Sequence, residues 1–99
     1  MQVRYGDDDL RRLAEDAEFS TTRWGSDVVK AYRKTIQWIR AAKDERDLRN
    51  LKGLRLKKLH GDRERQRSMR LNDQYRLIVQ FKTEDERVTV VVELVDYHD

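Results

Sequence analysis

The stretch SMRLNDQYRLIVQFKTEDERVTVVVELVD, residues 68–96, decides the fold. Met69 and Leu71 alternate with Ser68, Arg70 and Asn72, and Tyr75, Leu77, Val79 and Phe81 alternate with Arg76, Ile78 and Gln80. Alternation with a period of two is the signature of half-buried strands. Asn72-Asp73 reads as the tight connection between the first two runs. A polar turn at Thr83–Glu86 leads into a third run, Val88, Val90, Val92 and Leu94. Its other face also carries Val91 and Val95, so this strand belongs inside the sheet.

Working outward, Leu54 and Leu56 alternate with Arg55, Lys57 and Leu59, which predicts an earlier strand ending near Lys58. The period upstream is 3.6. Val29, Tyr32, Ile36 and Ile39 form one stripe of a helix that starts at the N-cap candidate Ser26 and runs to about Lys43. A short turn is expected over Asp44–Leu51. Leu10, Leu13, Ala14 and Ala17 predict a shorter helix with the Asp7–Asp9 run at its positive end, broken by Ser20-Thr21-Thr22. Trp24 and Trp38 sit beside apolar stripes and read as packing residues rather than stacking platforms. Helices first and a strand meander second is an α+β pattern, with the N-terminal helices on one face of a small antiparallel (mixed-edge) sheet.

Ninety-nine residues, without proline, repeat or low-complexity linker, read as a single domain over 1–99. Charged residues make up 41% and hydrophobic ones 37%, so the core is small and a stabilising partner is expected. The absence of cysteine excludes disulfide scaffolds, thiolate metal sites and cysteine nucleophiles. Two histidines do not make a structural zinc site, and no carboxylate cluster calls for a metal. No cofactor is indicated. The apolar run Val88–Val92 falls far short of the roughly 20 residues of a membrane helix, and Met1–Tyr5 lacks a secretory core. A cytoplasmic protein without membrane contact is expected.

The net charge of +3 hides an asymmetry. Residues 1–18 carry six acids against three bases, whereas residues 49–76 carry ten bases against three acids. Such a zone suits a polyanion, although a solvated mixed surface would look similar. Alternation places Arg70 and Arg76 on the sheet face opposite Leu71 and Tyr75. Lys57-Lys58-Leu59-His60-Gly61-Asp62-Arg63 is a basic strand end running into a glycine turn, and Asp96-Tyr97-His98 follows the last strand. Together they offer cations for phosphate, imidazoles that titrate near neutrality and an aromatic face. That set suits RNA cleavage by the RNA's own 2′-hydroxyl. One proton must leave that hydroxyl, another must reach the 5′-oxygen, and charge builds on the phosphoryl oxygens between them. Taken singly, each piece also fits a solvated turn, a surface histidine or a frayed tail.

The segment from Leu56 to His98 resembles the HigB-type toxins of the RelE/ParE superfamily of type II toxin–antitoxin systems. The matching elements are Lys58-Leu59-His60-Gly61-Asp62-Arg63, Ser68-Met69-Arg70-Leu71-Asn72, Gln74-Tyr75-Arg76-Leu77 and Val92-Glu93-Leu94-Val95-Asp96-Tyr97-His98. The resemblance implies a RelE-like microbial ribonuclease fold and a ribosome-dependent mRNA endonuclease, or mRNA interferase. Carried over by position, His98 is the acid/base, Asp96 a proton acceptor or orienting partner, Tyr97 a stacking residue and Arg76 the phosphate holder. Lys58, Arg63 and Arg70 contact RNA backbone. The family's histidine and lysine ahead of the glycine stand exchanged here as Lys57 and His60, so the base remains open among Lys57, His60 and Asp96. Tyr75 stands where the family has tryptophan.

The implied partners are a HigA-like helix-turn-helix antitoxin, the ribosome and mRNA, with operator DNA reached only through the antitoxin. Two rival readings are a non-catalytic relative (a ParE-like gyrase inhibitor or a degenerate antitoxin-binding protein) and an RNA-binding domain without turnover.

Overall fold

The alternating C-terminal runs form the centre of the structure, a computed structural model describing residues 1–96. The elements are β1 (Gln2–Tyr5), α1 (Asp8–Glu15), α2 (Ser26–Ala41), α3 (Glu45–Arg49), β2 (Lys57–Lys58), β3 (Arg67–Arg70), β4 (Tyr75–Thr83) and β5 (Arg87–Asp96). Single 3₁₀ turns occupy Lys52–Leu54 and Gly61–Arg63. The five-stranded sheet has the order β1-β5-β4-β3-β2. All neighbours are antiparallel except β1 and β5, which pair in parallel. The fold is α+β with a mixed sheet, and β5 lies inside it as its two apolar faces require.

One sheet face carries Met69, Leu77, Val79 and Val91, all with no exposed surface. Tyr32, Ile36 and Ile39 of α2 and Leu10 and Leu13 of α1 pack on this face to make the core. Each such aliphatic side chain contributes roughly 1.5–3 kcal/mol of transfer free energy. The Tyr32 hydroxyl donates to the Leu10 carbonyl at 2.7 Å, and Arg33 Nε to that of Leu13 at 2.9 Å, locking α2 against α1. Asp7 caps α1 by accepting from the Leu10 amide at 3.0 Å. The hairpin between β3 and β4 depends on Asn72, whose Oδ1 accepts from the amides of Gln74 and Tyr75 at 2.9 and 2.7 Å.

Several expectations need correction. Gly25, not Ser26, is the N-cap of α2, which ends at Ala41. Helix α1 stops at Glu15, leaving Ala17 exposed. The turn expected at 44–51 contains α3, capped by Asp44, with Leu48 fully buried. The strand expected from Leu54 shrinks to Lys57–Lys58. Arg55, with φ 46°, sits in the left-handed region and ends the extended run, while Leu54 still reaches the core. Strand β1 was not anticipated. Its parallel pairing to a strand more than eighty residues away leaves no turn signal in the sequence. Among the described residues, no helix is long and apolar enough to cross a membrane.

Candidate nucleic-acid interface

The sheet face turned away from the helices carries the basic residues. Arg70 and Arg76 stand directly opposite each other on β3 and β4, and opposed residues share a face with Cβ atoms about 4.5–5.5 Å apart. Like charges in that position are destabilising unless other groups engage them. Arg70 pairs with Asp73 across the hairpin turn, and the Asp73 side chain is 96% exposed. A pair so open to water is worth little.

Oxygens from two segments grip Arg76. Its Nε donates to Ser68 Oγ at 2.9 Å and its Nη2 to the Arg55 carbonyl at 2.7 Å. Ser68 is buried. The left-handed turn at Arg55, a conformation costing on the order of 1 kcal/mol for such a residue, carries the second of these oxygens. Two anchors from separate segments fix the plane of the guanidinium fork.

Lys57 lies opposite Ser68, so it shares the face of Arg70 and Arg76. The row continues through Ile78 to Glu93. Arg63 closes the row from outside the sheet by pairing with Glu93, and its Nη1 donates to Gln66 Oε1 at 2.8 Å. The loop that brings Arg63 there is pinned where the Leu59 amide donates to the Gln66 carbonyl at 3.2 Å. It turns at Gly61, whose φ of +67° suits glycine. Lys57, Arg63, Arg70 and Arg76 are thus gathered on one face.

Other predicted residues lie elsewhere. Lys58 opposes Arg67, which opposes the core residue Val79, so the pleat turns it from that face. His60 is exposed just before the Gly61 turn, and its carbonyl accepts from the Arg63 amide at 3.3 Å. Asp96 opposes Tyr75, one residue out of phase with Arg76, and accepts from Gln74 Nε2 at 3.0 Å. Tyr97 and His98 lie outside the described residues. Among the described residues, no three His, Cys, Asp or Glu side chains gather as a metal would need.

Sequence reasoning missed Ser68, the Arg55 carbonyl and Glu93. Ser68 stands two residues before Arg70, so the strand period already put it on the basic face. Nothing local marked the Arg55 carbonyl.

The family model of HigB-like toxins, described as the RelE-like toxin of the type II toxin–antitoxin system HigB, matches residues 3–98. The chain belongs to this family. A HigB-like toxin is one half of a toxin–antitoxin pair, so an antitoxin partner follows from membership. Among solved structures, the YoeB/ParE toxin from Agrobacterium tumefaciens is similar at a TM-score of 0.57 and 15% identity, over 99% of this chain and 100% of that one. At that identity the likeness shows the fold. No curated protein matches the chain.

Proposed function

We propose that this HigB-like toxin is an endoribonuclease that cuts mRNA on the translating ribosome in the cytoplasm. The observation that carries the reading is the opposed pair Arg70 and Arg76 on the open sheet face, in line with Lys57. The Arg70–Asp73 pair is open to water and weak, so a phosphodiester can displace the carboxylate and accept charge-assisted hydrogen bonds on this face.

The 2′-hydroxyl of the RNA loses its proton and attacks the adjacent phosphorus. The P–O5′ bond breaks, leaving a 2′,3′-cyclic phosphate and a 5′-hydroxyl. Arg76 and Lys57 hold the phosphoryl oxygens as negative charge builds on them. His98 protonates the departing 5′-oxygen. The base is His60, since Lys57 serves as a cation and Asp96 lies out of phase with Arg76 and suits an orienting role. Tyr97 stacks on a base, and Arg63 and Arg70 contact the backbone. A HigA-like helix-turn-helix antitoxin restrains the toxin and carries the pair to operator DNA.

Mapping RNA ends on programmed ribosomes tests this reading. The toxin should produce ends carrying cyclic phosphate, and a single 2′-deoxy substitution at the cut site should block them. His98→Gln should slow cleavage about 10²–10⁴-fold, and Arg76→Ala about 10²–10³-fold. Intact mRNA together with inhibition of gyrase supercoiling would overturn the proposal.

A further inference from the structure

The surface of α1 and α2 away from the sheet holds a groove of about 540 Å³. Its floor is Leu13, Phe19, Trp24 and Val29, and Lys30 and Lys34 stand on its rim. Ser26, Val29, Lys30, Arg33, Lys34 and Gln37 follow 3–4 spacing, so α2 presents a second stripe beside its core stripe. Arg33 is committed to the wall, donating to the Leu13 and Phe19 carbonyls at 2.9 and 3.1 Å. Among the described residues, no carboxylate lines the groove in a chain with nineteen acids. Among the described residues, no ion pair engages Lys30 or Lys34.

We propose that this groove is the docking site for an acidic, amphipathic segment of the antitoxin. An apolar floor with lysines on its rim matches a segment that presents apolar anchors at helical spacing beside carboxylates. Nucleic acid fits less well. One face of each aromatic ring is already covered, Arg12 lying 4.3 Å from the Phe19 centroid and Arg23 4.2 Å from that of Trp24. Each ring therefore keeps at most one face for a base, under an arginine that already uses the other. The groove opens on the helical side of the sheet, and Lys57, Arg70 and Arg76 lie on the other. A segment seated there leaves the basic face open. The inference rests on the family's antitoxin partnership and not on the cleavage chemistry.

Hydrogen exchange on the toxin co-expressed and purified with its cognate antitoxin decides the matter. Amides in the 16–25 connection, which forms one wall, should exchange about tenfold more slowly than in the toxin alone, and those of 57–67 should be unchanged. Lys30→Glu combined with Lys34→Glu changes only exposed positions and should weaken the antitoxin complex about tenfold or more. Its affinity for a single-stranded RNA oligonucleotide should change less than about twofold. Protection confined to 57–76 would overturn the proposal. So would an unaltered antitoxin affinity in the double variant, protection of the groove by the RNA oligonucleotide, or self-association of the toxin through 16–25. None of these readouts involves cleavage, so failure of the nuclease reading would leave them untouched.

Discussion

The Arg76 guanidinium is held by a hydroxyl from β3 and a carbonyl from the turn at Arg55, which makes its orientation a property of two segments at once. A planar fork holds both anchors in one fixed geometry, whereas an ammonium is a point charge with no such plane. Arg76→Lys therefore keeps the charge and loses the geometry. Cleavage should fall about tenfold or more while affinity for a single-stranded RNA oligonucleotide stays within about twofold. A parallel drop in both would show that Arg76 acts only by its charge. Ser68→Ala removes one anchor and leaves the Arg55 carbonyl. Here the turnover rate should fall several-fold, with the thermal midpoint shifted by only about 4–8 °C for each 1 kcal/mol lost. Unchanged turnover at a lowered midpoint would reduce Ser68 to a structural role.

At the scale of elements, the helix starts carry the pH dependence. Burial alone would raise the Asp7 carboxyl, but the Arg23 guanidinium and the Leu10 amide outweigh it and hold it below the ordinary range. The Arg46 side chain and amide bring Asp44 down to about 2 from the usual 3.8. A depressed folded value means that the stabilisation is complete above the unfolded value and drains as pH falls through the folded one. For Asp44 that window runs from 3.8 to about 2. Asp7→Ala should cost about 1–2 kcal/mol at neutral pH. Asp7→Asn keeps the cap, so it should cost less than about 1 kcal/mol. Melting curves should show wild type and Asp7→Asn converging as the pH falls below the ordinary carboxylate value of 3.8. A constant gap would mean that the Asp7 charge plays no part. The same elements show what a sequence reveals. Helix α2 and strands β4 and β5 are long enough for their periods to identify them. Strand β1 has only Val3 and Tyr5 facing inward, and its partner is fixed by packing rather than by a turn. Helix α3 has one buried residue, Leu48, too few for any period. In the candidate site, alternation put Arg70 and Arg76 together, but it could not reveal the Arg55 carbonyl, because a left-handed turn at arginine has no residue signature. The facing of Lys57 and Lys58, in a strand of two residues, is set by the pairing register with β3.

Across the whole molecule, the sheet separates an apolar groove on its helical side from a basic face on the other, and the two proposed partners, antitoxin and RNA, meet separate surfaces. The excess of ten bases over three acids in residues 49–76 overstates the charge that face can direct at RNA. Arg70 is already paired with Asp73, and Arg63 with Glu93, which belongs to β5 and lies far outside the basic segment. Both pairs are open to water, with the Arg63 and Glu93 side chains 45% and 40% exposed. Each is thus worth about 1 kcal/mol at most, little enough for a phosphate to displace the carboxylate. On the proposed reading, the carboxylates are counterions that RNA has to replace. Glu93→Gln removes one of them without changing the shape of the side chain. Affinity for a single-stranded RNA oligonucleotide should rise by up to about fivefold at low salt, the equivalent of one exposed pair. The plot of log affinity against log salt should steepen by about 0.7, the increment for one more phosphate contact on a single strand. Fluorescence anisotropy between about 50 and 200 mM salt measures both quantities. If affinity and slope were both unmoved, Arg63 would lie off the RNA path, and the backbone track across this face would have to run through Lys57, Arg70 and Arg76 alone.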